Sequence, residues 1–281
     1  MRVENNFSFE VDIIMDNRPI GLLDSGDGGF SVVKKVIKKL PEESTIFIGD
    51  NANMPYGNKS KEEIINLTRH SVKFLLSKDV KLIIIACNTA TAVAMPTMQK
   101  EVKQQIIGVV QSGSLAAARA TENKNVAVVA TPVTINSHAY QREINYRDPK
   151  IKVTELAAPK LAPLVEAMED YETNLKVVKE SLEPLKNKNF DTLVLGCTHY
   201  PIIQKEFEAA LPDDISIVDP ADQVAQYTFN VMQRDNLFAA SGSVAKHEYY
   251  TTGNVSSFEK MGRSFLDDNS LTAIHVNTEN L

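Results

Sequence analysis

Cysteine is scarce: the 281-residue chain carries two, Cys87 and Cys197. That count excludes the disulfide framework that staples small secreted domains. Neither cysteine belongs to a C-x-x-C pair, so the usual dithiol redox motif is absent. Nor does a histidine or cysteine cluster accompany either thiol, whereas zinc takes about four ligands. No metal site is expected. Basic charge is lacking too. The 30 Lys and Arg face 36 Asp and Glu, a net charge of −6, which argues against a nucleic-acid partner. No uncharged apolar run approaches the roughly 20 residues that span a bilayer, so no membrane partner is expected. The opening "MRVENNFSFEVDIIMDN" interrupts its apolar positions with acidic residues and does not form a secretory signal. A reducing cytoplasm is the expected compartment.

What is present reads as an ordinary soluble protein, 43% apolar and 23% charged. The length exceeds what one hydrophobic core usually supports, so two domains are expected. Strand-like apolar runs fall at 20–23, 45–48, 82–86, 106–110, 126–130, 192–195 and 215–218. Amphipathic stretches alternate with them. In "SKEEIINLTRHSVKFLLSK", Ile64, Ile65, Thr68, Val72 and Leu75 share one helical face. This alternation predicts an α/β protein with mostly parallel sheets covered on both faces.

A weak internal duplication accompanies it. "PIGLLDSGDGG" is a strand running into a glycine-rich turn, with Cys87 downstream; "NVAVVATPVTINS" ends in a threonine-bearing turn, with Cys197 at a similar distance. Two pseudo-symmetric domains facing each other would place the cysteines on opposite walls of one cleft. Residues 1–14 are read as an N-terminal extension. Residues 15–112 with 222–281 form a first α/β domain carrying Cys87, and 113–221 a second carrying Cys197. In open α/β sheets, ligands bind beyond the carboxyl ends of the strands, where both cysteines fall.

A single cysteine ending an apolar strand is usually a small core residue. Both cysteines, however, precede small and hydroxylated residues, "NTATAVAM" and "THYPII", that read as strand-to-helix turns. A thiol there meets free N–H groups and the positive end of a helix dipole, which favour its thiolate. As a pair across a cleft, one could take a proton while the other gives one. That suits inversion of a stereocentre.

Other polar residues fit a small zwitterion. "DSGDGG" offers Asp24 and Ser25 at a strand end, with glycines that let backbone approach a ligand. "MPYGNKS" places Tyr56 and Gly57 in a loop before a helix capped by Ser60. Asn88, Thr89, Thr131, Thr134 and Thr198 add amide and hydroxyl groups near strand ends, whether as helix caps or as carboxylate binders. His199, two positions after Cys197, could tune its protonation. No arginine lies in these motifs, so a substrate carboxylate would be held by backbone N–H groups and hydroxyls.

Taken together, "GLLDSGDGG", "GDNANMPYG", "ACNTATA", "LGCTHYP" and "YYTTG" resemble the glutamate racemases, the cofactor-independent branch of the Asp/Glu racemase family. The resemblance runs from about Asn17 onward. It implies two pseudo-symmetric α/β domains, usually as a homodimer, and conversion between L- and D-glutamate for peptidoglycan synthesis with no cofactor. Cys87 and Cys197 match the catalytic thiols, the first taking the α-proton of D-glutamate and the second that of L-glutamate. Asp24 and His199 match the groups that assist them and also contact substrate. Glu166 in "APLVEAM" matches a glutamate supporting the second thiol. Ser25, Tyr56, Gly57, Asn88, Thr89 and Thr198 match substrate-binding positions.

Asp27 stands where that family usually has a small apolar residue, and "GDNAN" replaces the commoner "GDTAR". "VVQSG" and "AAPK" also depart from its pattern. These put loop conformation, dimer contacts or regulation in question rather than the reaction. Two alternatives stand beside the leading reading. One is a racemase for aspartate or another small acid, although such relatives tend to carry glutamate at the place of His199. The other is a non-catalytic amino-acid-binding protein, whose binding would survive loss of either thiol.

Overall fold

Strand β1 (Ile20–Asp24) contributes Ile20 and Leu22 to one face and Leu23 to the other, and all three are buried. Such burial on both sides needs helices above and below, and it explains an uninterrupted apolar run where an exposed strand would alternate. A computed structural model describes residues 15–278, so the expected extension at 1–14 lies outside the described residues.

The remaining strands are β2 (Thr45–Gly49), β3 (Leu82–Ile85), β4 (Gln105–Gly108), β5 (Asn125–Ala130), β6 (Lys152–Ala157), β7 (Thr192–Gly196), β8 (Ser216–Val218), β9 (His247–Thr251) and β10 (Ala273–His275). They form two sheets, both parallel throughout: β10-β9-β2-β1-β3-β4 and β6-β5-β7-β8. Each sheet is covered by apolar clusters on both faces. The result is the two-domain α/β architecture that the sequence pattern predicts. Among the described residues no helix is long and apolar enough to cross a membrane.

Two details differ from the sequence pattern. The expected strand at 106–110 stops at Gly108, and Val109 opens the helix Val109–Ala120. Its valines are β-formers overridden by packing, since Val110 and Ala117 bury against the second sheet. Strands β6, β9 and β10 carry no continuous apolar run. They lie at or next to sheet edges, where polar residues are tolerated on the open side.

The helix Val255–Leu266 matters to the site because it packs against the glycine turn after β1. Its Phe258 is buried among Phe30, Phe47 and Tyr249. Its N-cap is Asn254, whose side chain accepts from the Ser257 N–H at 2.9 Å. Removing this cap by Asn254→Ala is expected to cost about 1 kcal/mol, read as a lower denaturation midpoint with little change in slope.

Candidate active site

Cys87 lies just beyond β3 and caps the helix Asn88–Val93, accepting the Ala90 N–H at 3.4 Å. Cys197 follows β7 directly. Both lie at the carboxyl ends of strands in parallel sheets. Both are free and buried, at 5% and 7% exposure.

A chain of hydrogen bonds leads from Cys87 to Thr198, beside the second thiol. Cys87 Sγ donates to Ser25 Oγ at 3.4 Å, and the Ser25 hydroxyl donates to Asp24 Oδ1 at 3.4 Å. Asp24 Oδ1 also accepts the Gly26 N–H at 2.9 Å, while Oδ2 accepts the Thr198 hydroxyl at 3.3 Å. Asp24 thus joins the Cys87 wall to the segment carrying Cys197. The glycine turn allows this approach: a Cβ on Gly28 would lie 2.5 Å from Thr198 Oγ1.

On the opposite wall, Cys197 Sγ meets His199 Nδ1 at 3.6 Å. His199 Nε2 lies 3.3 Å from Glu166 Oε1, a meeting of charges without the alignment of a hydrogen bond. Cys197 leads into a 3-10 turn, Tyr200–Ile203, so its described partner is a ring nitrogen rather than the N–H groups of a full α-helix.

Protonation divides the two walls. Burial would lower His199, but its bond to Cys197 and the pairing with Glu166 outweigh it and hold the imidazole well above its ordinary range. Burial pushes Asp24 up to about 6, against the pull of the His199 charge. Burial, reinforced by the Asp24 charge, pushes the Cys87 thiol up to about 12. This corrects the expectation of a dipole-favoured thiolate at Cys87. The bond with Ser25 and the Ala90 N–H do lower it, but desolvation is the larger effect.

The remaining residues expected at the site line the seam between the two sheets. The hydroxyls of Thr89, Thr131 and Thr134 form a triangle with sides of 3.0, 3.2 and 3.0 Å, joining one wall to the other. Gly57 fits against Thr131, whose Cβ would lie 3.0 Å from any Cβ added there. The Asn88 amide oxygen accepts the Tyr140 hydroxyl at 2.6 Å, which fixes the amide. Tyr56 is 2% exposed and donates to Asp50 Oδ2 at 2.6 Å, so its hydroxyl is engaged by Asp50. Tyr140 and Asp50 escaped the sequence reading. Each sits inside an ordinary amphipathic or turn pattern, and only the fold brings it to Asn88 or Tyr56. Among the described residues no three His, Cys, Asp or Glu side chains are grouped to hold a metal ion.

This arrangement can exchange protons on both faces of a carbon held between the thiols, with hydroxyls and amides available for carboxylates.

Residues 20–228 match the family described as Asp/Glu/Hydantoin racemase. A glutamate racemase of Lactobacillus acidophilus is 75% identical over 267 residues, 95% of this chain and 100% of that protein. The structure of the Bacillus anthracis glutamate racemase isoform RacE1 aligns with a TM-score of 0.90 at 35% identity, over 93% of this chain and 98% of that one. Glutamate racemase from Francisella tularensis, solved in complex with D-glutamate, aligns at 0.88 and 34% identity, over 95% of this chain and 100% of that one. With the family model spanning strands β1 to β8 and both thiols, the chain belongs to the Asp/Glu/Hydantoin racemase family.

Proposed function

We propose that the chain interconverts L- and D-glutamate without a cofactor, moving the α-proton between Cys197 and Cys87. The observation that carries this reading is the pair of buried thiols at strand ends of the two sheets, linked through the Asp24–Thr198 bond, each with its own proton partner: Ser25 and Asp24 for one, His199 and Glu166 for the other. Glutamate is favoured over other small acids by the 75% identical glutamate racemase and by the D-glutamate complex of the Francisella tularensis enzyme.

In the L-to-D direction, Cys197 beside the charged His199 takes the α-proton, and the neutral Cys87 returns one to the opposite face. The α-carbanion needs preorganised donors, and the substrate carboxylates are bound by Ser25, Asn88, Thr89, Thr131, Thr134 and Thr198. The D-glutamate formed serves peptidoglycan synthesis in the cytoplasm, and the working unit is a homodimer, following the family resemblance.

Incubation with L-glutamate or L-aspartate in D₂O, followed by circular dichroism and α-deuterium content, tests the reading. Loss of optical signal with deuterium uptake is expected for glutamate. No change with either acid overturns the enzymatic reading, and change with aspartate alone overturns the glutamate assignment.

A further inference from the structure

Asp27 puts a carboxyl into the glycine turn, mostly out of water, and no step above uses it. A turn aspartate ordinarily accepts from backbone N–H groups of its own turn. Asp27 instead accepts from a side chain 24 residues away, the Asn51 amide, at 2.7 Å. That amide is oriented by a relay. The Gly253 N–H donates to Thr251 Oγ1 at 3.1 Å, so the Thr251 hydroxyl gives its proton to Asn51 Oδ1 at 3.0 Å. Asn51 is left with its NH₂ aimed at Asp27.

The turn that carries this carboxyl presses on His199. A Cβ on Gly28, the next residue, would lie 3.1 Å from His199 Nδ1. Burial raises the Asp27 carboxyl above its ordinary range, Asn51 and the His199 charge pull it down, and the Glu166 charge pushes it up again. The Asp27 carboxyl and the imidazole thus feel each other across a turn that seats Gly28 against His199. A buried carboxylate that ends on a neutral amide is costly unless a cation nearby offsets it.

We propose that Asp27 is a positioning residue for the Cys197 wall: its carboxylate, held by Asn51, works together with Glu166 to stabilise the imidazolium of His199. This rests on the racemase reading above and adds the residue that keeps the second thiol's partner charged. The Asp27 carboxyl bonds to Asn51 and to neither thiol. Its effect passes through His199, and thence to Cys197.

The other charged groups near the turn are accounted for. Asp24 faces His199 as a further carboxyl, bonded to Gly26 and Thr198. On the helix Phe30–Lys39, Lys34 pairs with Asp267 and Lys35 with Asp222. On the helix Val255–Leu266, Glu259 pairs with Arg263. Behind Glu166, Glu206 is bonded to Asn174. None of these pairs includes His199; Cys197 and Glu166 hold it directly, and Asp24 and Asp27 are the further carboxyls that feel its charge.

The test is an NMR titration of histidine-labelled protein, with the His199 signals assigned by their loss in His199→Gln. Asp27→Asn keeps an oxygen for Asn51 and removes the charge. It is expected to move the His199 midpoint down by about one pH unit, a tenfold loss of proton affinity. Asp27→Glu is expected to restore most of it. Asn51→Ala, which frees the carboxyl from its holder, is expected to shift the midpoint in the same direction and serves if Asp27→Asn does not fold. In parallel, the alkaline limb of the kcat/KM profile moves to lower pH in Asp27→Asn. An unchanged midpoint in Asp27→Asn and in Asn51→Ala overturns the proposal. Because the midpoint is read without turnover, this result is separate from failure of the wild-type protein to racemise glutamate, which would overturn the functional reading instead.

Discussion

Exchange of either thiol for a hydroxyl, in Cys87→Ser or Cys197→Ser, is expected to lower kcat/KM for racemisation by roughly a thousandfold or more. Serine keeps the shape of each turn. At position 87 a hydroxyl can still accept the Ala90 N–H and meet Ser25, as the thiol does at 3.4 Å in each case. What it loses is proton affinity in a usable range, since a hydroxyl releases its proton far less readily than a thiol. L- and D-glutamate have equal free energies, so kcat/KM must fall by the same factor in both directions. Circular dichroism started from each enantiomer, with near-UV spectra to confirm folding, measures this. Normal turnover in either variant would remove the two-thiol scheme. Protonation at rest gives the scheme a preferred start. Cys87, pushed up to about 12, is a neutral acid, and Cys197 lies against a charged imidazole.

The two thiols were legible because their surroundings repeat. A β-rich run, a cysteine and a set of hydroxyls occur twice, and the parallel sheets place both at strand ends. Buried strands announce themselves as continuous apolar runs, so seven of them stood out. Strand β6 reads KVTELA and is only half buried, and β10 has three residues on an exposed edge, so neither has the composition of a core strand. Protonation was not legible. The helix N–H at Cys87 is where the motif placed it, but the degree of desolvation depends on how closely the two walls meet. Nor could spacing join Asp27 to Asn51, or Tyr140 to Asn88, since those bonds cross between elements distant in sequence.

Asp24 should show function opposing stability. Its carboxyl is 1% exposed and is pushed from the ordinary 3.8 to about 6 by burial. A raised folded-state value means that the native protein binds the proton more tightly than the unfolded chain. The stabilisation this provides is fully present below about pH 3.8 and is lost as pH rises through about 6. At neutral pH the buried charge therefore costs on the order of 3 kcal/mol relative to a neutral group. Asp24→Asn keeps an oxygen for the Gly26 N–H and turns an NH₂ toward Thr198, so the variant is expected to be more stable than wild type at pH 7. The gain should shrink as pH falls toward 4, as followed by denaturant titration across that window. Activity moves the other way. The donor chain from Cys87 through Ser25 ends on an amide that cannot take up a proton, so the thiol loses its route to deprotonation. A fall in kcat on the order of a hundredfold is expected, within the range of a lost acid–base group. Equal activity in Asp24→Asn would show that Cys87 is deprotonated by another path. Equal stability of the two proteins from pH 4 to 7 would show that burial does not raise the Asp24 carboxyl. The two measurements separate the charge that catalysis requires from the cost of holding it in a buried site.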